Sequence, residues 1–152
     1  MPKTKFLLPL IIFLISSKIC LGLGPSIEKH FIGDYKTLPT PRTEWLKKRV
    51  RAQVDLVGHN LFKVGFGINW YPGVTNIIGG GEGSVNRKGR LVFYFRDNWG
   101  NQGYGILKKI PPKSYTPNLY LLTLKVTHSV NQRATEQYRD YEIQQIDDPL
   151  EE

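Results

Sequence analysis

An all-β fold is the class this sequence predicts: a single small β-sandwich, or partly closed barrel, of about six to eight mostly antiparallel strands with little helix. Three observations predict it. Apolar and polar residues alternate with a period of two through several stretches, Leu61–Tyr71 and Leu119–Ser129 being the clearest. Clusters of Gly, Asn, Asp and Pro punctuate these stretches roughly every dozen residues. No segment carries the longer repeat of an amphipathic helix.

The chain starts differently. Lys3 and Lys5 precede the apolar run Phe6–Ile15, and a short, small-residue-rich segment follows to Gly24, the three-part pattern of a secretory signal peptide. Cleavage after Gly22 places Cys20 and Gly22 at the two positions that must be small. The run is about half the length a transmembrane helix needs. Residues 1–22 are therefore read as a signal peptide, and the protein is expected to be secreted and extracellular. Cys20 is the chain's one cysteine, so no thiol remains after cleavage, and no disulfide, cysteine nucleophile or thiolate metal site is expected.

Residues 23–49 read as an irregular N-terminal arm, because Leu38-Pro39-Thr40-Pro41 restricts its neighbours against helix and central strand. Thr43 could cap one helical turn through Lys47. The basic triplet Lys47-Lys48-Arg49 makes the arm a candidate propeptide, with Lys48 and Arg49 at the cut.

Residues 50–135 form the β body. Val50, Ala52, Val54 and Leu56 alternate with polar partners, and Gly58-His59-Asn60 turns the chain. In the next strand Phe62, Val64, Phe66, Ile68 and Trp70 share the core side, leaving Gly65 and Gly67 to thin the outer one. After Pro72-Gly73, the run Gly79-Gly80-Gly81-Glu82-Gly83 lacks the Gly-Lys-Ser/Thr of a phosphate-binding loop and any helix start, and reads as a flexible hairpin or corner loop. Arg90–Asp97 then places Leu91, Phe93 and Phe95 on the core side, with Val92, Tyr94 and Arg96 opposite. Asp97–Gly103 reads as a turn and Tyr104–Lys109 as a return strand. In Leu119–Ser129 the parity of Tyr120, Leu122, Leu124, Val126 and His128 is expected inside, which makes His128 a packed strand-end histidine. Residues 136–152 form an acidic C-terminal segment, partly ordered, with a strand or short helix at Tyr141–Ile146.

The formal charge of +8 falls to +5 once Lys3, Lys5 and Lys18 leave with the signal peptide. Basic residues dominate from Lys36 to Arg133, whereas only Arg139 opposes the acids after Glu136. Scattered lysines on a β surface protect strand edges and aid solubility. Nucleic acid is disfavoured as a partner by the secretory leader.

Catalysis finds little support. His30, His59 and His128 are far apart, no serine lies in a nucleophile elbow, and no metal-ligand spacing occurs. Glu82 with Asp97 is the one conceivable carboxylate pair. No cofactor, no metal and no enzymatic activity are expected. The functional expectation rests on the aromatic loop Asp97–Tyr104, where Trp and Tyr offer contact area and Asn and Gln adaptable hydrogen bonds. Arg96, Asn98, Trp99, Asn101, Gln102 and Tyr104, with Trp70 and Tyr71, are the candidate ligand-binding residues. The expected partner is a protein or a cell-surface glycan, bound by a monomer or weak homo-oligomer. An anionic membrane met by a toxin, defence protein or host-directed effector is the alternative.

Two short resemblances accompany this reading. Tyr94-Phe95-Arg96-Asp97-Asn98-Trp99-Gly100 after a strand resembles the strand-to-turn segment of plant self-incompatibility S-protein homologues, a disulfide-rich family. The order of Lys48-Arg49, a Val-rich strand, an aromatic loop and Gly103-Tyr104-Gly105 resembles actinoporins, secreted β-sandwich cytolysins that favour sphingomyelin membranes. Neither supplies a site residue.

Overall fold

The computed structural model describes residues 30–38, 49–69, 76–113, 116–130, 132–135 and 138–146. The chain divides into two compact units, Met1–Phe31 and Ile32–Glu152. Of the first, only His30 and Phe31 are described, their rings 4.0 Å apart. Among the described residues the second holds eight strands: β1 (Gly33–Thr37), β2 (Arg49–Gly58), β3 (Leu61–Asn69), β4 (Asn76–Val85), β5 (Leu91–Asp97), β6 (Gln102–Lys109), β7 (Leu119–His128) and β8 (Asp140–Ile146). A four-residue helix, α1 (Gln132–Thr135), precedes β8. Each strand pairs antiparallel with its neighbour in sequence, and β1 pairs with β8 from Asp34↔Ile146 to Thr37↔Ile143, so the sheet closes into a barrel. Closure leaves no unpaired edge, the liability of an open sheet. It also departs from the two-sheet sandwich that the actinoporin resemblance implies.

Alternation decides what lies inside. Phe62, Val64, Phe66 and Ile68 of β3, Leu91, Phe93 and Phe95 of β5, and Tyr120, Leu122 and Leu124 of β7 are buried. Burying each such side chain is worth about 1.5–3 kcal/mol. An eight-stranded barrel has an interior just wide enough for side chains to fill, and here large residues meet small ones across the strands. Phe62 is registered with Gly83, Phe66 with Gly79, Phe93 with Gly105 and Phe95 with Gly103. A Cβ at Gly79 would lie 3.0 Å or less from the Phe66 ring, and one at Gly105 would overlap the Phe93 ring. The rings occupy the space the glycines leave. Phe66 and Phe95 meet edge to face at 5.1 Å.

Tyr35 of β1 and Tyr120 of β7 are fully buried and meet edge to face at 5.1 Å, with a hydrogen bond between their side chains. Burial, reinforced by Tyr120, pushes the Tyr35 phenol far above the ordinary value of about 10, and burial also raises Tyr120. A raised folded-state pKa contributes stability that is full below about pH 10 and is lost as pH climbs towards the folded value. The melting temperature is expected to fall more steeply between about pH 9 and pH 11 than in the Tyr35→Phe variant. Equal slopes would exclude the pair as the cause.

The structure departs from the sequence reading in several places. The glycine run is no loop: Gly79–Gly83 lies inside the ten-residue strand β4. The arm over 23–49, expected to be irregular, contains β1, which closes the barrel between β2 and β8. His128 is exposed rather than packed, because the register of β6 and β7 shifts between Gln102 and Gly103, where β7 runs out of the core. The C-terminal segment holds β8, one residue longer than the stretch Tyr141–Ile146.

Candidate functional site

The loop after β5 is closed by its own aspartate. Oδ1 of Asp97 accepts hydrogen bonds from the backbone N–H of Trp99 and of Asn101, both at 2.8 Å. Oδ2 accepts from Asn101 Nδ2 at 2.9 Å and from the Tyr138 hydroxyl. Asn101 is fully buried, and its Oδ1 accepts from the Val130 N–H at 2.8 Å. The turn is thereby clasped to the chain between β7 and β8. Tyr138 also stacks on Phe95 at 5.2 Å. Its phenol is pushed well above the ordinary range, first by burial and then by the Asp97 carboxylate.

Two amides of the expected binding loop are engaged within the chain. Asn98 and Asn101, expected to offer hydrogen bonds to a partner, are both taken up internally. Asn98 Oδ1 accepts from the Ile78 N–H at 2.8 Å and its Nδ2 donates to the Asn76 carbonyl at 3.0 Å, extending the edge of β4. Trp99 is half-buried, and its Nε1 is buried with no hydrogen-bond partner among the described residues. Gln102 and Tyr104 belong to β6 rather than to the loop. Asp97 and Glu82 point to opposite faces of the sheet, since Asp97 is registered with Gly79 on the inner parity and Glu82 lies on the outer one, so they form no catalytic pair. Arg49 opens β2, opposite Asn69. Gly22, Lys48, Trp70 and Tyr71 lie outside the described residues.

The outer wall beside the loop is a different matter. Tyr94 is opposite Tyr104, which is opposite Lys125, and Arg96 is flanked by Gly80 on one side and Gln102 on the other. Because Gly80 has no side chain, a shallow open groove of about 420 Å³ forms there. Gly80, Gly81 and Gly103 line it along with Tyr94, Arg96, Gln102 and Thr127. Tyr94 is 71% exposed, the most exposed of the large apolar and aromatic side chains among the described residues. The groove thus offers one aromatic face, one guanidinium fork and one amide around a flat backbone floor. Such a set can stack on a ring and bind hydroxyl or carboxylate oxygens.

Sequence reasoning named Arg96, Gln102 and Tyr104 but missed Tyr94. The signal was present, since Tyr94 shares the parity of Arg96 opposite the Leu91, Phe93 and Phe95 core side. Around Gly65 and Gly67 the wall is thinned again, and Asp34, Arg51 and Gln53 border a second open groove. Among the described residues no group of His, Cys, Asp and Glu is placed to hold a metal ion. His59 and His128 are both exposed, in the β2–β3 turn and at the far end of β7. Comparison with protein-family models, with curated proteins and with solved structures finds no match to this chain.

Proposed function

We propose that the protein is a small secreted binding protein without enzymatic activity that recognises a cell-surface glycan on the outer wall of its barrel. The observation that carries this reading is the exposed Tyr94 ring beside a glycine-floored groove bordered by Arg96 and Gln102. A sugar ring stacking on Tyr94 brings its hydroxyls to Gln102 and a uronic or sialic carboxylate to Arg96, whose fork suits a carboxylate. The groove is open and shallow, which suits a segment of a chain rather than an enclosed small molecule. The barrel interior, filled by phenylalanine rings at the level of the glycines, favours the wall as the binding surface. The signal-peptide pattern of residues 1–22 supports the secreted location.

The test is a microarray of neutral and acidic oligosaccharides, followed by titration of the sugars that bind. Tyr94→Ala is expected to weaken binding at least about tenfold with the melting temperature unchanged, because an exposed ring contributes little to stability. Arg96→Lys is expected to reduce binding of acidic sugars selectively. Undiminished binding by Tyr94→Ala would sink the assignment.

A further inference from the structure

The end of the barrel that carries the β2–β3, β4–β5 and β6–β7 connections has a surface unlike the wall. The β2–β3 register shifts between Leu56 and Gly58, so Val57 is an extra residue with no partner in the β3 ladder, a bulge beside the hairpin tip. Leu56, Val57 and Leu61 are 41%, 50% and 39% exposed around the turn His59-Asn60. An aliphatic cluster at a hairpin tip gains nothing from water and is held there by its neighbour. Asn60 Nδ2 donates to the Val85 carbonyl at 3.2 Å, and Asn60 Oδ1 accepts from the Val85 N–H at 2.9 Å.

Val85 leads into the second hairpin, whose turn is braced by Asn86. The Asn86 side chain accepts from the N–H of Lys88 and of Arg90, and its N–H donates to the Arg90 carbonyl. Arg87 and Lys88 are exposed on this rigid turn. Carrying the Leu91↔Leu107 register one residue outward sets Arg90 beside Lys108. The nearest acids on these strands, Asp55 and Glu82, are each registered with Lys63 on the outer wall. An apolar tip and a cationic tip therefore stand side by side, joined by the Asn60–Val85 bridge.

We propose that this end of the barrel docks on an anionic lipid bilayer, with Leu56, Val57 and Leu61 entering the headgroup–acyl boundary and Arg87, Lys88 and Arg90 lying over the phosphates. Each half matches one layer of such a surface: aliphatic side chains partition into the boundary, and cations meet the negative surface potential. A soluble polyanion satisfies the cations but leaves the aliphatic tip in water. The bilayer satisfies both.

The test measures binding of the full chain to phosphatidylcholine vesicles with and without phosphatidylserine. Binding is expected only with phosphatidylserine, and both Leu56→Ser/Val57→Ser/Leu61→Ser and Arg87→Gln/Lys88→Gln/Arg90→Gln are expected to weaken it at least about tenfold. An environment-sensitive fluorophore on Val57→Cys, in a chain carrying Cys20→Ser, reads the tip itself and is independent of the apolar leader. Its emission is expected to shift to the blue on anionic vesicles, while the same label on Glu82→Cys stays unchanged. No shift at position 57 overturns the proposal, as does a serine variant that binds as tightly as the parent, which would mean adhesion by charge alone. Tyr94→Ala leaves vesicle binding unchanged, so this proposal and the glycan reading fail separately.

Discussion

Gly81→Ala is expected to destabilise the barrel by about 3 kcal/mol or more, or to prevent folding, although it adds a single methyl group. A Cβ at this position would overlap the carbonyl oxygen of Tyr94 and crowd the Phe95 Cα at 3.3 Å. Both obstacles are backbone, so no side-chain rotation relieves them. The β4–β5 ladder is pinned on either side, at Gly80↔Arg96 and Gly83↔Phe93, which prevents the strands from parting locally. Gly65→Ala is the control, since nothing lies within 4 Å of its added carbon. That substitution is expected to be neutral, or to stabilise by up to about 1 kcal/mol through the lower entropy of the unfolded chain. Urea unfolding of the two variants measures the contrast, and similar midpoints would show that β4 can shift away from β5.

The second large effect is expected at Asp97. Asp97→Ala removes the acceptor of two backbone N–H groups, the Asn101 amide and the Tyr138 hydroxyl at once. An unsatisfied buried polar group costs about 1–3 kcal/mol, and partial access of water to this turn reduces the sum, so a loss of about 3 kcal/mol is expected. Because Asn101 also receives the Val130 N–H, the disturbance reaches the chain beyond β7. Amide exchange at Val130 is expected to accelerate in Asp97→Ala but not in Asn98→Ala, whose contacts run to β4 instead. Protection of Val130 in both variants would mean that the clasp does not join these segments.

How far these features were legible in the sequence depended on whether side chains report their own alternation. β3, β5 and β7 are written mostly in Phe, Leu, Val and Ile at every second residue, and their inner faces are those the period predicts except at the two ends of β7, where Leu119 of the outer parity is buried and His128 of the inner one is exposed. β4 is not, because Gly79, Gly81 and Gly83 take the inner positions and carry no hydrophobic signal. Their pattern acquires meaning only against Phe62 and Phe66 of β3, a correspondence set by register, which a single sequence does not show. β1 was hidden for a related reason: Gly33–Thr37 is short and stands next to a proline-rich stretch. Barrel and sandwich were both open until β1 met β8. At the candidate site, Asn98 and Asn101 read as recognition residues since turns and paratopes favour the same amides. Here the backbone of the turn and of β4 claims them. Arg96 and Tyr94 could be placed on the solvent face from parity, but the groove beside them required Gly80 and Gly103 to arrive from neighbouring strands.

The order of pairing in the barrel also shapes how it assembles. Every ladder joins strands adjacent in sequence except the one between Asp34 and Ile146. Hairpins of nearest neighbours form with little loop-closure entropy, whereas joining β1 to β8 must bring together nearly the whole length of the domain. Folding is therefore expected to build outward from β3–β6 as a curved open sheet, with the β1–β8 seam closing last. Until it closes, β1 and β8 are bare edges. In that interval a β1 from another molecule fits the gap as well as the chain's own, so domain-swapped dimers are the characteristic misfolded product of this architecture at high concentration.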